Sequence, residues 1–239
     1  MFRSTMKAFA ALTALTLILG SGSEVSAATA GQARVRLVHA CPGLGSVKAK
    51  VNGRYITRSL PYGQVTGYAV ARPDLALVDL FDAATQEPLE FQFEVPVDAG
   101  YDYTALVIRD DLQPDPNPTL ATPFLDDVNL ALTAHPRGGV SRNSSSFYFI
   151  HAVPDAGPVD LYINNVLVPT GTIPFTDYRG PFNLGPGANT IEAWDPVNNI
   201  SVYGPTSVNF RSGRITTIVI TGTLDEFDEF PVVGNLYLD

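Results

Sequence analysis

One stretch occurs twice in this chain, and the repeat constrains the fold more than any other feature. The clearer copy runs from His151 to Asn165, His-Ala-Val-Pro-Asp-Ala-Gly-Pro-Val-Asp-Leu-Tyr-Ile-Asn-Asn. The other copy runs from His39 to Gly53, at an offset of 112. Pro42 falls on Pro154, Val47 on Val159, Val51 on Ile163 and Asn52 on Asn164. At an offset of 113, Leu60-Pro61-Tyr62 meets Ile173-Pro174-Phe175 and Phe81-Asp82 meets Trp194-Asp195. Val95 then meets Val208, Gly100 meets Gly213, and Phe124-Leu125-Asp126 meets Tyr237-Leu238-Asp239.

Each copy carries strand periodicity. Val35, Leu37 and His39 share one face and Arg34 and Arg36 the other, the spacing of a strand with one apolar side. Val47, Ala49 and Val51 alternate with Lys48 and Lys50, and Asn52-Gly53 follows at once. Asn-Gly tolerates positive φ at both central positions of a type I′ turn, so a hairpin is expected there. In the second copy Phe147, Phe149 and His151 alternate with Ser146 and Tyr148. Val159, Leu161 and Ile163 alternate with Asp160 and Tyr162, and Asn164-Asn165 takes the turn.

In the first unit, strands are expected at 34–40, 47–51, 54–57, 67–71, 75–82, 89–97, 102–109 and 119–126. No helical periodicity stands out. A repeat of roughly 95 residues made of short strands has the size of an immunoglobulin-like sandwich. The expected fold is therefore all-β, two tandem immunoglobulin-like antiparallel β-sandwiches after a cleaved signal peptide. The expected limits are 1–27 for the signal, 33–127 for the first sandwich, 128–145 for a polar linker and 146–239 for the second sandwich. On that reading the two sandwiches fold separately.

The N-terminus supplies the address. Arg3 and Lys7 precede an apolar run from Ala8 to Leu19, and Val25-Ser26-Ala27 offers a cleavage site, the layout of a secretory signal. The run is short of the roughly 20 residues that a membrane span needs. Cleavage after Ala27 leaves 13 basic against 23 acidic residues, a formal charge of −10. Such a chain repels nucleic acid and anionic lipid. The single cysteine, Cys41, forms no intramolecular disulfide and reads as a buried thiol.

The segment Val-Arg-Leu-Val-His-Ala-Cys-Pro at 35–42 and its longer counterpart at 149–164 resemble a bacterial family catalogued as domain of unknown function 4397. Leu60-Pro61-Tyr62-Gly63 and Ala99-Gly100-Tyr101-Asp102-Tyr103-Thr104 resemble two further segments of its pattern. The first copy departs from that pattern, with Gly43-Leu44 and Lys48 where the second has Asp155-Ala156 and Asp160. The resemblance implies an exported, often tandem, β-rich module on or outside the bacterial envelope, and no known reaction.

The candidate binding residues are His151, Asp155 and Asp160, since only the second copy keeps the acidic positions. His39, Pro42, Asn52, Gly53, Pro154, Asn164 and Asn165 are expected to be structural. Both motif histidines lie in phase with an apolar strand face, which favours a satisfied core histidine over a ligand. Asp110, Asp111, Asp115 and Asn117 crowd one loop, and Asp225-Glu226-Phe227-Asp228-Glu229 takes the equivalent place later. Neither spacing is that of an EF-hand. His135 falls in the expected linker. Hydrolase, metalloprotease and phosphate-loop motifs are absent from the sequence, so no catalytic residue, metal or cofactor is expected.

The expected function is that of a noncatalytic envelope or extracellular module binding a surface polymer, glycan or protein through its loops. A structural spacer is the alternative and a hydrolase the weaker third. No nucleic-acid partner and no transmembrane anchor are expected for the mature chain. It would be secreted to the periplasm or medium, and any surface attachment would be noncovalent.

Overall fold

A computed structural model describes residues 32–89, 92–109, 128–137, 140–224 and 231–238. The expected signal segment and both acidic stretches, 110–117 and 225–229, lie outside the described residues. Among those residues every regular element is a strand. The first eight are β1 (Ala33–His39), β2 (Val47–Val51), β3 (Arg54–Leu60), β4 (Ala69–Ala71), β5 (Asp74–Asp82), β6 (Phe93–Val97), β7 (Tyr101–Arg109) and β8 (Val128–Pro136). The second eight are β9 (Ser145–Ala152), β10 (Asp160–Ile163), β11 (Val166–Leu167), β12 (Tyr178–Leu184), β13 (Gly187–Asp195), β14 (Ile200–Phe210), β15 (Ile215–Thr221) and β16 (Val233–Leu238).

They form four sheets of four strands, in the orders β3-β2-β5-β6, β4-β1-β7-β8, β12-β9-β15-β16 and β11-β10-β13-β14. Strand for strand, the second unit repeats the first. The register repeats too: Val47 pairs with Asp82 and Asp74 with Val97, just as Asp160 pairs with Trp194 and Gly187 with Phe210. Each unit also contains one parallel pair among antiparallel ones. Arg34 lies beside Asp102 in β1 and β7, and Ser146 beside Ile215 in β9 and β15.

Each sandwich closes on its own core. In the first, Val35, Leu37, Ala105 and Val107 of one sheet meet Val47, Ala49, Val78 and Leu80 of the other. In the second, Phe147, Phe149, Ile218 and Ile220 meet Leu161, Ile191, Ala193 and Phe210. Both expected hairpins form: Asn52 and Gly53 have φ of 49° and 75°, and Asn164 and Asn165 have 51° and 63°.

Two expectations need correction. The stretch 128–145, expected to be a linker, contains β8, which pairs with β7 from Tyr101–Pro136 to Arg109–Val128. The cause is alternation hidden in a polar-looking segment: Val128, Leu130, Leu132 and Ala134 pack on the first core. By register, Thr104 opposite Thr133 corresponds to Thr217 opposite Tyr237. Tyr237 thus stands in the place of Thr133, whereas Phe124-Leu125-Asp126 had been matched to it and lies outside the described residues. The connection between the two units shrinks to 137–144.

The second correction concerns the outer faces of β1, β7 and β9. A third apolar cluster joins Val38, Ala40, Leu106 and Ile108 of the first unit to Ile150, Ala152 and Val219 of the second. Arg36, whose side of β1 looked solvent-facing in the sequence, is only 3% exposed. The two sandwiches therefore stack sheet upon sheet. The middle layers are β4-β1-β7-β8 and β12-β9-β15-β16, and the outer layers are β3-β2-β5-β6 and β11-β10-β13-β14.

Candidate functional site

The repeated motif builds a latch around its histidine. His151, the last residue but one of β9, faces inward and has no exposed surface. Its Nδ1 accepts the Val153 N–H at 3.3 Å, and its Nε2 lies 3.1 Å from the Gly157 carbonyl. These partners require a neutral ring carrying its proton on Nε2. The first copy repeats the arrangement, with the Cys41 N–H on His39 Nδ1 at 3.3 Å and the Gly45 carbonyl 2.9 Å from Nε2. An aromatic ring meets each imidazole edge-on, Tyr62 at 5.8 Å and Phe175 at 6.2 Å. Burial lowers the pKa of both, that of His151 to about 4. The histidine thus ties the strand end to the loop that follows, without charge.

A carboxylate closes the same loop from the other sheet. Asp195, at the end of β13, is fully buried. Its Oδ2 accepts the Gly157 N–H at 3.0 Å and the Asn198 amide at 2.8 Å, and its Oδ1 accepts the Val197 and Asn198 N–H groups. Burial alone would raise its pKa, but the bonds from Asn198, Val197 and Gly157 outweigh burial and hold it below the usual range. A Cβ on Gly157 would lie 2.7 Å from Asp195 Oδ2, so glycine is needed there for space. Asp82 is the counterpart in the first copy and takes the Ala84 and Thr85 N–H groups, both at 2.7 Å. The sequence aligned these aspartates but gave no sign of their role.

The asparagines have a second role beyond the turn. Asn52 Oδ1 accepts the Leu77 N–H at 2.9 Å, and Asn164 Oδ1 accepts the Thr190 N–H at 2.8 Å. Each side chain extends the ladder of the neighbouring strand by one bond. Pro42 and Pro154 lie in the loops that the histidines hold.

The three candidate binding residues are not brought together. His151 is sealed in the second core. Asp155 is exposed and accepts the Leu224 N–H at 2.7 Å. Asp160 lies on the outer face of β10, opposite Trp194. Among the described residues no three His, Cys, Asp or Glu side chains are placed to share a metal ion. Cys41 is buried, as expected.

The polar seam between the sandwiches was missed. Arg36 Nε donates to Thr104 Oγ1 at 3.0 Å, and its terminal nitrogen donates to Thr217 Oγ1 across the seam at 2.8 Å. Its guanidinium lies 4.7 Å from the centre of the Tyr68 ring and 5.6 Å from that of Tyr237. Tyr178 donates to the Ala134 carbonyl and Tyr237 to that of Gly63, both at 3.1 Å. His135 stacks on Tyr148 with ring centres 4.8 Å apart; it is part of a strand, not of a linker. At the rim, Asp102 pairs with Arg34 and Arg137. Burial works to raise its pKa, and the two guanidiniums more than offset this and lower it.

The two outer sheets differ in their solvent-side residues. On β3-β2-β5, Lys48 and Lys50 each sit about 5 Å from the rings of both Tyr55 and Phe81, and Arg58 lies 5.2 Å from Tyr55. On β11-β10-β13, the corresponding positions hold Asp160, Tyr162, Leu167 and Trp194, with Glu192 opposite Tyr162.

Residues 145–236, the second sandwich, match the model of a family described as a domain of unknown function, DUF4397. No curated protein matches the chain. Solved structures that match include a leucine-rich repeat protein from Bacteroides thetaiotaomicron VPI-5482, at 10% identity and a TM-score of 0.19. The match covers 82% of this chain but only 26% of that one, and at that score it carries no structural argument.

Proposed function

We propose that the protein is an exported, noncatalytic module of the cell envelope or extracellular space, which binds a surface polymer, glycan or protein. The observation that carries this reading is where the polar chemistry goes. The motif's histidines, asparagines and buried aspartate are bonded to backbone partners of their own sandwich, an arrangement that holds loops rather than turning over a substrate. Lys48, Lys50 and Arg58 lie beside the rings of Tyr55 and Phe81 on the outer sheet of the first sandwich, and rings beside cations suit recognition of charged partners. The first sandwich is on this reading a diverged copy of the family module, supported by its identical strand order and register.

A second reading, a structural spacer, is favoured by the stacking of the two sandwiches through a shared apolar seam. Co-sedimentation of the purified protein with isolated envelope, peptidoglycan, and neutral and acidic polysaccharides separates the two. Saturable retention on one of these supports binding, and no retention on any leaves the spacer. Export is tested by N-terminal sequencing of the secreted protein, which should begin at Ala28.

A further inference from the structure

The two outer faces are the same surface of the same fold, yet their central strands differ in charge. Position by position, Lys48 of β2 is replaced by Asp160 of β10 and Lys50 by Tyr162, while the acid across from the latter position is kept, Asp79 opposite Lys50 and Glu192 opposite Tyr162. The aromatic positions persist, since Phe81 opposite Lys48 corresponds to Trp194 opposite Asp160. Apolar surface persists as well: Tyr55 is 45% and Leu167 47% exposed at equivalent places. Because the sandwiches stack through their inner sheets, these faces look away from each other at opposite ends of the molecule. They cannot meet within one chain.

We infer that the basic outer face of the first sandwich docks on the acidic outer face of the second sandwich of another copy. The inference rests on the reading of the protein as a noncatalytic binding module and names a partner for it. Lys48, Lys50 and Arg58 would face Asp160 and Glu192, with the ring pairs Tyr55–Phe81 and Tyr162–Trp194 supplying apolar contact. Complementary potentials set the register of such contacts and reject the wrong pairing: basic on basic and acidic on acidic are both repulsive. A contact between two different faces is heterologous, and unless its rotation closes a ring it propagates as an open row.

The test is sedimentation velocity of the purified protein over a range of concentrations, with charge reversals on each face. Wild type should form species that grow past the dimer. Lys48→Glu with Lys50→Glu, and separately Asp160→Lys with Glu192→Lys, should each weaken association by more than about tenfold, or 1.4 kcal/mol. The second pair is the sharper arm. It moves the formal net charge from −9 to −5, since each replacement adds two charges, so relief of general repulsion predicts more association and face pairing predicts less. All four replacements in one chain should restore the association. Circular dichroism of each variant checks that it is folded. A wild type that stays monomeric, a closed dimer, association unchanged by either pair, or failure of the fourfold variant to recover would each overturn the inference. A monomer that still co-sediments with an envelope polymer would sink the inference and leave the binding reading intact. Self-association without polymer binding would support the inference and narrow the binding reading to a protein partner, a second copy of this chain.

Discussion

Replacing Leu106 by alanine separates a stacked molecule from two independent sandwiches. Leu106 points away from the first core, on the outer face of β7, and is fully buried against the second unit. The change deletes three carbons, worth about 2.4 kcal/mol of transfer free energy at about 0.8 kcal/mol each. The cavity left behind adds to this, and buried Leu→Ala changes cost about 2–5 kcal/mol in total. We expect about 3 kcal/mol. If the sandwiches were beads on a linker, that side chain would face water and the cost would stay within about 0.5 kcal/mol of zero. Leu75→Ala is the control: Leu75 lies on the outer face of β5, 40% exposed, and makes the same chemical change in a strand. In urea unfolding, a loss of about 3 kcal/mol moves the midpoint by about 1 M at an m of about 3 kcal/mol/M. Indistinguishable midpoints for Leu106→Ala and Leu75→Ala would refute the reasoning.

Three further outcomes are expected. His151 is neutral down to about pH 4 in the fold against 6.5 when unfolded, so between those values the unfolded state binds the extra proton; stability is fully present above pH 6.5 and falls by on the order of 3 kcal/mol towards pH 4. His39 acts in the same direction, and His151→Gln should flatten the fall in a pH series of unfolding midpoints. Gly157→Ala drives a methyl into Asp195 and should destabilise by about 1–3 kcal/mol, whereas Gly45→Ala, whose Cβ would stand 3.8 Å from Asp82, should cost less. Asn164→Ala loses both the bond to Thr190 and a side chain tolerant of positive φ, and a cost of about 1–2 kcal/mol is expected from thermal melts.

The sandwiches were legible because strand period and turn chemistry are local. Asn52-Gly53 specifies its hairpin by backbone preference alone, and Val47, Ala49 and Val51 mark their face by alternation. The histidines were legible as core residues for the same reason. Their partners were not, since a carbonyl acceptor such as that of Gly157 leaves no trace in residue type. The seam was misread because Arg34, Arg36 and Ser146 look like solvent-facing residues, and only long-range packing buries Arg36 against Thr217 and Tyr237. One signal was present. Ala105-Leu106-Val107-Ile108 is apolar without alternation, the pattern of a strand covered on both faces. Val128–Pro136 alternates as well, but Asn129, Thr133 and His135 give the segment the look of a polar linker.

The central claim is that the two sandwiches share a third core and form one four-layer stack. Small-angle X-ray scattering tests it most directly, on dilute protein carrying Lys48→Glu and Lys50→Glu so that single chains are observed. The stack predicts a pair-distance distribution with one main maximum and a scattering profile that the stacked arrangement reproduces, unchanged with concentration. A distribution with a second maximum at the separation of two detached sandwiches would contradict it.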